Sequence, residues 1–295
     1  MQKHTKLGWI GLGVMGGAMC QHLMAAGYPM SIFTRSKEKA SELMQNGAQW
    51  CDTPLEITAQ SDIVFTMVGM ESEVRDVYFS ADGLFHTTIN NKIFIDMGTT
   101  APSLALEMAQ YAEQHGAHCI DAPVSGGDVG ARNASLSIMA GGDENIIRQV
   151  MPLFEYLGRV QIMGEAGSGQ HTKMCNQIVV AGTMIGVCEA LLYARHAQLN
   201  GETLLAAIRQ GAAGCWTLDN LAPRVIKQDF APGFMVDHFI KDLGIALHES
   251  EAMGLNLPGL SLVKSLYEKV RDAGHGKKGT QALLFALDNY SEDAR

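Results

Sequence analysis

No run of lysine or arginine stands out in the 295-residue sequence, and the formal net charge is −9. The basic footprint of a non-specific nucleic-acid binder is therefore missing. No C-x-x-C occurs among the 6 cysteines, which lie scattered at Cys20, Cys51, Cys119, Cys175, Cys188 and Cys215. That excludes a disulfide framework and implies reduced thiols in a cytosolic setting. Met1 leads into the first strand without a signal-peptide pattern. No apolar run approaches the ~20 residues that cross a bilayer. The stretch after Asn176 is interrupted by Gly182, Gly186 and Glu189 and reads as a buried helix. The expectation is a cytoplasmic protein with no nucleic-acid or membrane partner. A repeat of fixed period is also absent. What is present is a 47% share of hydrophobic residues. That excludes disorder and suffices for one large or two medium domains.

The first half alternates short apolar runs with helical patterns. Strands are expected at Leu7 to Ile10, Met30 to Thr34, Asp62 to Val68, Lys92 to Met97, Ala117 to Ala122 and Ser135 to Ala140. Helices are expected from Gly13 to Ala26, from a Ser36 cap to Asn46, and from Pro102 to His115. This β-α-β-α succession predicts an α/β fold with a doubly wound parallel sheet. After Gly169 the strand signals fade. Helical patterns run over Gln170 to Leu199, Glu202 to Gly211, Thr217 to Gln228, Val236 to Met253, Leu260 to Ala273 and Gly279 to Tyr290. The expected division is a dinucleotide-binding domain over 1–165 and an all-helical domain over 166–295, joined by a long helix.

Gly11-Leu12-Gly13-Val14-Met15-Gly16 follows a strand and opens a helix. Gly11 permits the tight turn, Gly13 lets backbone approach a pyrophosphate, and Gly16 lets helix pack on strand. The helix N-terminus adds N–H groups and partial positive charge. A glycine turn without a ligand would show the same letters, but this one has the strand–turn–helix setting that a dinucleotide requires. NAD enzymes usually carry Asp or Glu at the end of the second strand. Here Thr34-Arg35-Ser36 stands there. Arg35 can pair with a 2′-phosphate and stack on adenine, while Thr34 and Ser36 add hydroxyls. The expectation is NADP(H) preferred, with NAD(H) possible; a solvent-facing Arg35 is the bland alternative.

Three later segments belong at strand ends: Asp96-Met97-Gly98-Thr99-Thr100, Asp121-Ala122-Pro123-Val124-Ser125-Gly126-Gly127, and Gly164-x-x-Gly167-x-Gly169-x-x-x-Lys173-x-x-Asn176. Ser125, Gly126 and Gly127 offer a hydroxyl and consecutive N–H groups, a nest for a carboxylate. A tight loop needing glycine for its backbone alone is the other reading. Lys173 and Asn176 share a helix face. With Lys241-Asp242-Leu243, these motifs make the chain resemble the β-hydroxyacid dehydrogenase family over essentially its full length. That family includes 3-hydroxyisobutyrate dehydrogenase and the tartronate semialdehyde and succinic semialdehyde/glyoxylate reductases.

The resemblance implies a Rossmann-type half, an all-helical half and an active site between them. The implied reaction moves a hydride between the nicotinamide and a small carboxylated aldehyde or β-hydroxy acid. Lys173 would then be the general acid/base, with Asn176 orienting the same oxygen. An ammonium donates the proton and steadies the developing alkoxide, and burial favours the neutral amine needed in reverse. On spacing alone Lys173 would read as an ordinary surface lysine. The resemblance further assigns Lys241 to nicotinamide and substrate, supported by Asp242, whereas an exposed Lys–Asp pair would contribute little. Thr99 is implied beside the nicotinamide ribose, and Met67-Val68 on the adenosine side. Many relatives carry a proline soon after Met67; this chain continues Val68-Gly69-Met70. Family members assemble as homodimers or homotetramers.

No metal site is expected, because a helix end and Gly116 separate His115 from His118 and Cys119. The rival readings are an imine reductase-like enzyme, disfavoured by Lys173, and a non-catalytic cofactor-binding module.

Overall fold

In the computed structural model of the chain, residues 4–287 are described. They fall into two compact units, Met1–Lys173 and Met174–Arg295. The division lies inside a long helix, whereas the sequence places a boundary before it.

The first unit is built on a nine-stranded sheet. Its strands are β1 (Leu7–Ile10), β2 (Met30–Phe33), β3 (Gln49–Trp50), β4 (Ile63–Thr66), β5 (Ile93–Asp96), β6 (His118–Asp121), β7 (Val124–Ser125), β8 (Leu136–Gly141) and β9 (Gly158–Gly164). Helices α1 (Val14–Ala25), α2 (Ser41–Gln45), α3 (Pro54–Gln60), α4 (Glu71–Phe79), α5 (Pro102–Gln114), α6 (Gly127–Arg132) and α7 (Glu144–Phe154) connect them. β1, β4 and β5 are buried at every position, as expected of parallel strands covered on both faces. Trp9 and Phe65 stack at 5.2 Å in this core, beside Leu7, Ile32, Ile95 and Ile120.

Strand order explains why the loops converge. The sheet runs β3-β2-β1-β4-β5-β6-β8-β7, so the chain winds outward in both directions from β1 and β4. Ile10 lies opposite both Phe33 and Thr66, Thr66 opposite Asp96, and Asp96 opposite Asp121. Five strand ends thus form one row, and the loops that follow open on the edge where such sheets bind ligands. The predicted doubly wound sheet is present, with one difference at its far side. β8 runs antiparallel to β6 and β7, then pairs in parallel with β9.

The long helix α8 (Ser168–His196) leads into the second unit. By length and composition alone it could cross a membrane, with a mean hydropathy of 1.6 over its most apolar window. The sequence reading expected a helix of this length, over Gln170 to Leu199, but found no apolar run near the ~20 residues that cross a bilayer. Met174, Ala181, Met184, Val187 and Cys188 are nevertheless buried in protein. The second unit continues with α9 (Gly201–Ile208), α10 (Trp216–Asn220), α11 (Ala222–Ile226), α12 (Val236–Ala252), α13 (Pro258–Val270) and α14 (Leu284–Leu287). Phe239 of α12 meets Tyr267 of α13 edge-on at 5.1 Å, and the Tyr267 hydroxyl donates to the Thr280 carbonyl at 2.8 Å.

Several predicted helices differ in detail. Ser36 makes no side-chain cap, and its helix is a 3₁₀ turn, Lys37–Ala40, followed by the short α2. The helix expected over Thr217 to Gln228 breaks into α10 and α11 at Leu221, because Pro223 has no N–H to continue the ladder. The helix expected over Gly279 to Tyr290 is a 3₁₀ turn, Thr280–Leu283, and then α14; residues 288–290 lie outside the described residues.

Candidate active site

The turn after β1 is shaped by what a side chain would strike. At Gly11, φ is +92°, and a Cβ would stand 2.2 Å from the Met67 carbonyl oxygen. At Gly16 a Cβ would stand 2.0 Å from the Gly11 carbonyl oxygen. At Gly13 a Cβ would meet nothing within 4 Å. The turn is closed against the protein at Gly11 and Gly16 and open at Gly13, the face a pyrophosphate needs. Trp9 Nε1 donates to the Gly11 carbonyl at 3.1 Å and holds the turn in place. Leu12 is buried beneath it, whereas Val14 is exposed. The first turn of α1, which includes Val14, Met15 and Gly16, carries no acidic residue. Its N–H groups lack intrahelical partners and keep their positive character for an anion. These residues fit a dinucleotide phosphate.

Thr34, Arg35 and Ser36 follow β2 on the same edge. Arg35 is largely exposed and pairs with Glu73 Oε1 through Nη2 at 2.6 Å. Met67 and Val68 are half-buried after β4. Met67 donates its N–H to the Ile10 carbonyl at 2.8 Å, which sets this loop against Gly11.

A second set of strand-end residues is joined through the first turns of α8. Asp121 is 3% exposed. Its Oδ1 accepts the Gly167 N–H and its Oδ2 the Gln170 N–H, both at 2.8 Å. Burial pushes the Asp121 carboxyl up to about 6, against the pull of those two donors. Gln170 Oε1 accepts the Thr100 N–H at 3.2 Å, and its Nε2 donates to the Gly98 carbonyl at 2.9 Å. Gln170 thereby holds the loop that carries Thr99. Gly169 must be glycine, since a Cβ would lie 2.3 Å from the Met139 carbonyl oxygen.

Lys173 comes one turn later and is buried. Its Nζ donates to the Val124 carbonyl at 2.8 Å. Ser125, Gly126 and Gly127 follow directly, with φ of +128° at Gly126 and +63° at Gly127. Those angles lie in the left-handed region that favours glycine. A Cβ at Gly127 would meet nothing within 4 Å, so this nest is open. Within the first unit, the sequence-predicted amine and the sequence-predicted carboxylate nest meet at one carbonyl.

In the second unit, Asn176 Nδ2 donates to Gln177 Oε1 at 2.8 Å. Gln177 Nε2 donates to Asp242 Oδ2 at 2.6 Å, and Lys241 Nζ sits 2.9 Å from Asp242 Oδ1. Asp242 is 1% exposed, so this is a buried, doubly engaged carboxylate, unlike an ordinary surface ion pair. Sequence reasoning missed Gln170, Gln177, Asp121 and Glu73 as partners. Asp121 alone carried a signal, as the first residue of a motif singled out for its serine and glycines. Among the described residues, no group of three or more His, Cys, Asp or Glu is placed to hold a metal. His115 stacks on Tyr111 and its Nδ1 bonds the Tyr111 carbonyl at 2.7 Å.

The chain is similar to known proteins over both halves. Residues 6–167 match the family described as the NAD binding domain of 6-phosphogluconate dehydrogenase. Residues 167–287 match that described as NAD-binding of NADP-dependent 3-hydroxyisobutyrate dehydrogenase. The chain is 48% identical to a probable 3-hydroxyisobutyrate dehydrogenase-like 1, mitochondrial, of Arabidopsis thaliana, over 97% of this chain and 86% of that one. It is 37% identical to the 2-hydroxy-3-oxopropionate reductase of Escherichia coli (strain K12), over 96% and 97% of the two chains. The structure of Mycobacterium tuberculosis 3-hydroxyisobutyrate dehydrogenase with L-serine superposes with a TM-score of 0.86. The two are 32% identical, with 96% of this chain and 99% of that one covered. With a dinucleotide cradle, a buried lysine beside an open glycine nest, and relatives matched from end to end, the chain belongs to the β-hydroxyacid dehydrogenase family.

Proposed function

We propose that this NAD(P)-dependent oxidoreductase interconverts a small β-hydroxy acid and the corresponding carboxylated aldehyde, with NADP(H) preferred over NAD(H) and Lys173 as general acid/base. One observation carries the reading: the buried Lys173 ammonium is held on the Val124 carbonyl, next to Ser125, Gly126 and Gly127. When bound, the nicotinamide supplies or takes up the hydride. The Ser125 hydroxyl and the Gly126 and Gly127 N–H groups hold the substrate carboxylate. Lys173 Nζ gives its proton to the carbonyl oxygen during reduction and, as a neutral amine, takes it back during oxidation. Asn176, Lys241 and Asp242, connected through Gln177, are assigned to substrate and cofactor binding by the family resemblance. Thr99, held in its loop by Gln170, belongs to the nicotinamide ribose, and Met67 and Val68 to the adenosine side.

NADP(H) preference rests on Thr34-Arg35-Ser36, which supply a guanidinium and two hydroxyls where an NAD-type site has an acid. A homodimer or homotetramer is supported by α8, on which Val179 and Tyr193 are 64% and 76% exposed along one stripe with Gly182 and Gly186. The six cysteines, all free thiols, support a cytoplasmic setting.

The test is Lys173→Ala, assayed by NADPH absorbance on a panel of semialdehydes and short hydroxy acids. A general acid/base contributes roughly 10²–10⁴-fold, so kcat should fall by that factor while the Kd for NADPH stays within about threefold. Near-normal turnover on a substrate the native enzyme uses would remove Lys173 from the chemistry.

A further inference from the structure

Arg35 and Glu73 reach each other over the dinucleotide turn. Arg35 follows β2 and Glu73 sits in the first turn of α4, after β4. Both strands pair with β1, on opposite sides, with Phe33 and Thr66 each opposite Ile10. The two strands are therefore about 9–10 Å apart, with the end of β1 and Gly11 between them. The Arg35–Glu73 ion pair closes that gap at 2.6 Å.

The two partners are not equally free to move. Glu73 Oε2 accepts the N–H of Gly69 at 3.2 Å and of Met70 at 3.1 Å, which caps α4. The carboxylate is pinned by backbone donors, and its side chain is only 25% exposed. Arg35 is 80% exposed and is the partner that can swing. The nearby Lys37 lies over the Trp50 ring at 4.7 Å, so its ammonium is also engaged.

We infer that Glu73 is a specificity-determining residue that competes with the 2′-phosphate of NADP(H) for Arg35 and so limits the preference for NADP(H) over NAD(H). This rests on the reading of Arg35 as the 2′-phosphate partner. A 2′-phosphate must draw the guanidinium away from Glu73, and it then faces a carboxylate that cannot retire without uncapping α4. Like charges at that range oppose binding. A 2′-hydroxyl has no such conflict, since it can donate to Glu73 as it would to the acid of an NAD-type site. Glu73 thus returns, from the helix after β4, the carboxylate missing from the end of β2.

The test is Glu73→Gln in the full chain, with the Kd of NADPH and NADH each measured by calorimetry. The amide keeps an oxygen for the Gly69 and Met70 N–H groups and loses the charge. NADPH should bind about three- to tenfold more tightly, from the release of an exposed ion pair and of a like-charge conflict. NADH should bind equally or up to about threefold more weakly. Arg35→Ala should weaken NADPH at least about tenfold and NADH far less. Adding Glu73→Gln to Arg35→Ala should bring a smaller gain for NADPH than Glu73→Gln alone, because only the like-charge conflict is then left to relieve. A merely structural role for Glu73 would move both coenzymes alike. The NADPH-to-NADH ratio, taken from one preparation, is insensitive to its folded fraction, and Glu73→Ala gives a second reading of it. A ratio unchanged by Arg35→Ala would remove Arg35 from 2′-phosphate recognition, and the inference with it. A ratio changed by Arg35→Ala but unmoved by Glu73→Gln and Glu73→Ala would overturn the role of Glu73 alone.

Discussion

Gly13 and Gly16 are three residues apart in one turn, yet replacing each by alanine should produce opposite phenotypes. At Gly13 the backbone is extended, with φ −70° and ψ −172°, and a Cβ would meet nothing. Gly13→Ala should leave the unliganded protein within about 1 kcal/mol of the original, the loss being that of alanine for glycine at an N-cap. The same methyl would fill the space where a pyrophosphate has to approach. The Kd for NADPH should rise at least about 30-fold, equivalent to roughly 2 kcal/mol of lost phosphate contacts. At Gly16 a Cβ would lie 2.0 Å from the Gly11 carbonyl oxygen and 3.1 Å from Trp9 Nε1. Neither a backbone carbonyl nor a buried indole can step aside, so Gly16→Ala should cost about 2–3 kcal/mol. For a unit of this size that lowers Tm by about 4–12 °C. Thermal melting of the two variants, with and without NADPH, separates these effects. If Gly13→Ala bound NADPH as tightly as the original, the pyrophosphate would not lie against Gly13.

Two further predictions concern residues behind the site. Between about pH 4 and pH 6 the native state holds a proton on Asp121 that the unfolded chain has released, so its contribution to stability is full at low pH and lost as pH rises. Asp121→Asn removes that slope, and urea midpoints should show the variant gaining about 3 kcal/mol on the original from about pH 4 to about pH 7; parallel pH profiles would refute it. Gln170→Leu should cost about 2–4 kcal/mol, because it strands the Thr100 N–H and the Gly98 carbonyl in a dry interior. A cost below about 1 kcal/mol by chemical unfolding would show that neither group depends on Gln170.

The features legible in the sequence were those whose signal is local. β1, β2, β4, β5 and β6 are short buried runs, most of them closed by a glycine or polar turn, and each lies within about two residues of where such runs predict it. β9 was missed although Val160 and Ile162 alternate with Arg159 and Gln161, because its half-exposed pattern lacks a continuous apolar run. β3 and β7 are two residues long and exist only through their partners. The antiparallel entry of β8 depends on the turn through β7, which composition does not encode. The same division holds at the site. Gly11 to Gly16 and the Ser125 loop carry their chemistry in adjacent letters, and Lys173 follows a glycine-marked lead-in. Gln170 and Gln177 do their work on groups 72 and 65 residues away, so nothing near them in sequence marks them.

Those long-range bonds bear on how Lys173, proposed above as the general acid/base, is held in place. A lysine stem has several rotatable bonds, and left to itself it would spread its ammonium over several ångströms. Here the helix turn that carries Lys173 is fixed first. Asp121 holds the backbone at Gly167 and Gln170, and Gln170 holds the 98–100 loop through both its amide atoms. Gly169 seats the helix where any side chain would collide with Met139 and Asp121. Only then does Lys173 reach Val124, so its ammonium is placed by strand ends and backbone amides. Rigid elements of this kind hold a reacting group more tightly than loops do. Burial of Asp121 opposes the charge that makes its two N–H bonds strong, a cost borne for the geometry those bonds impose on the helix.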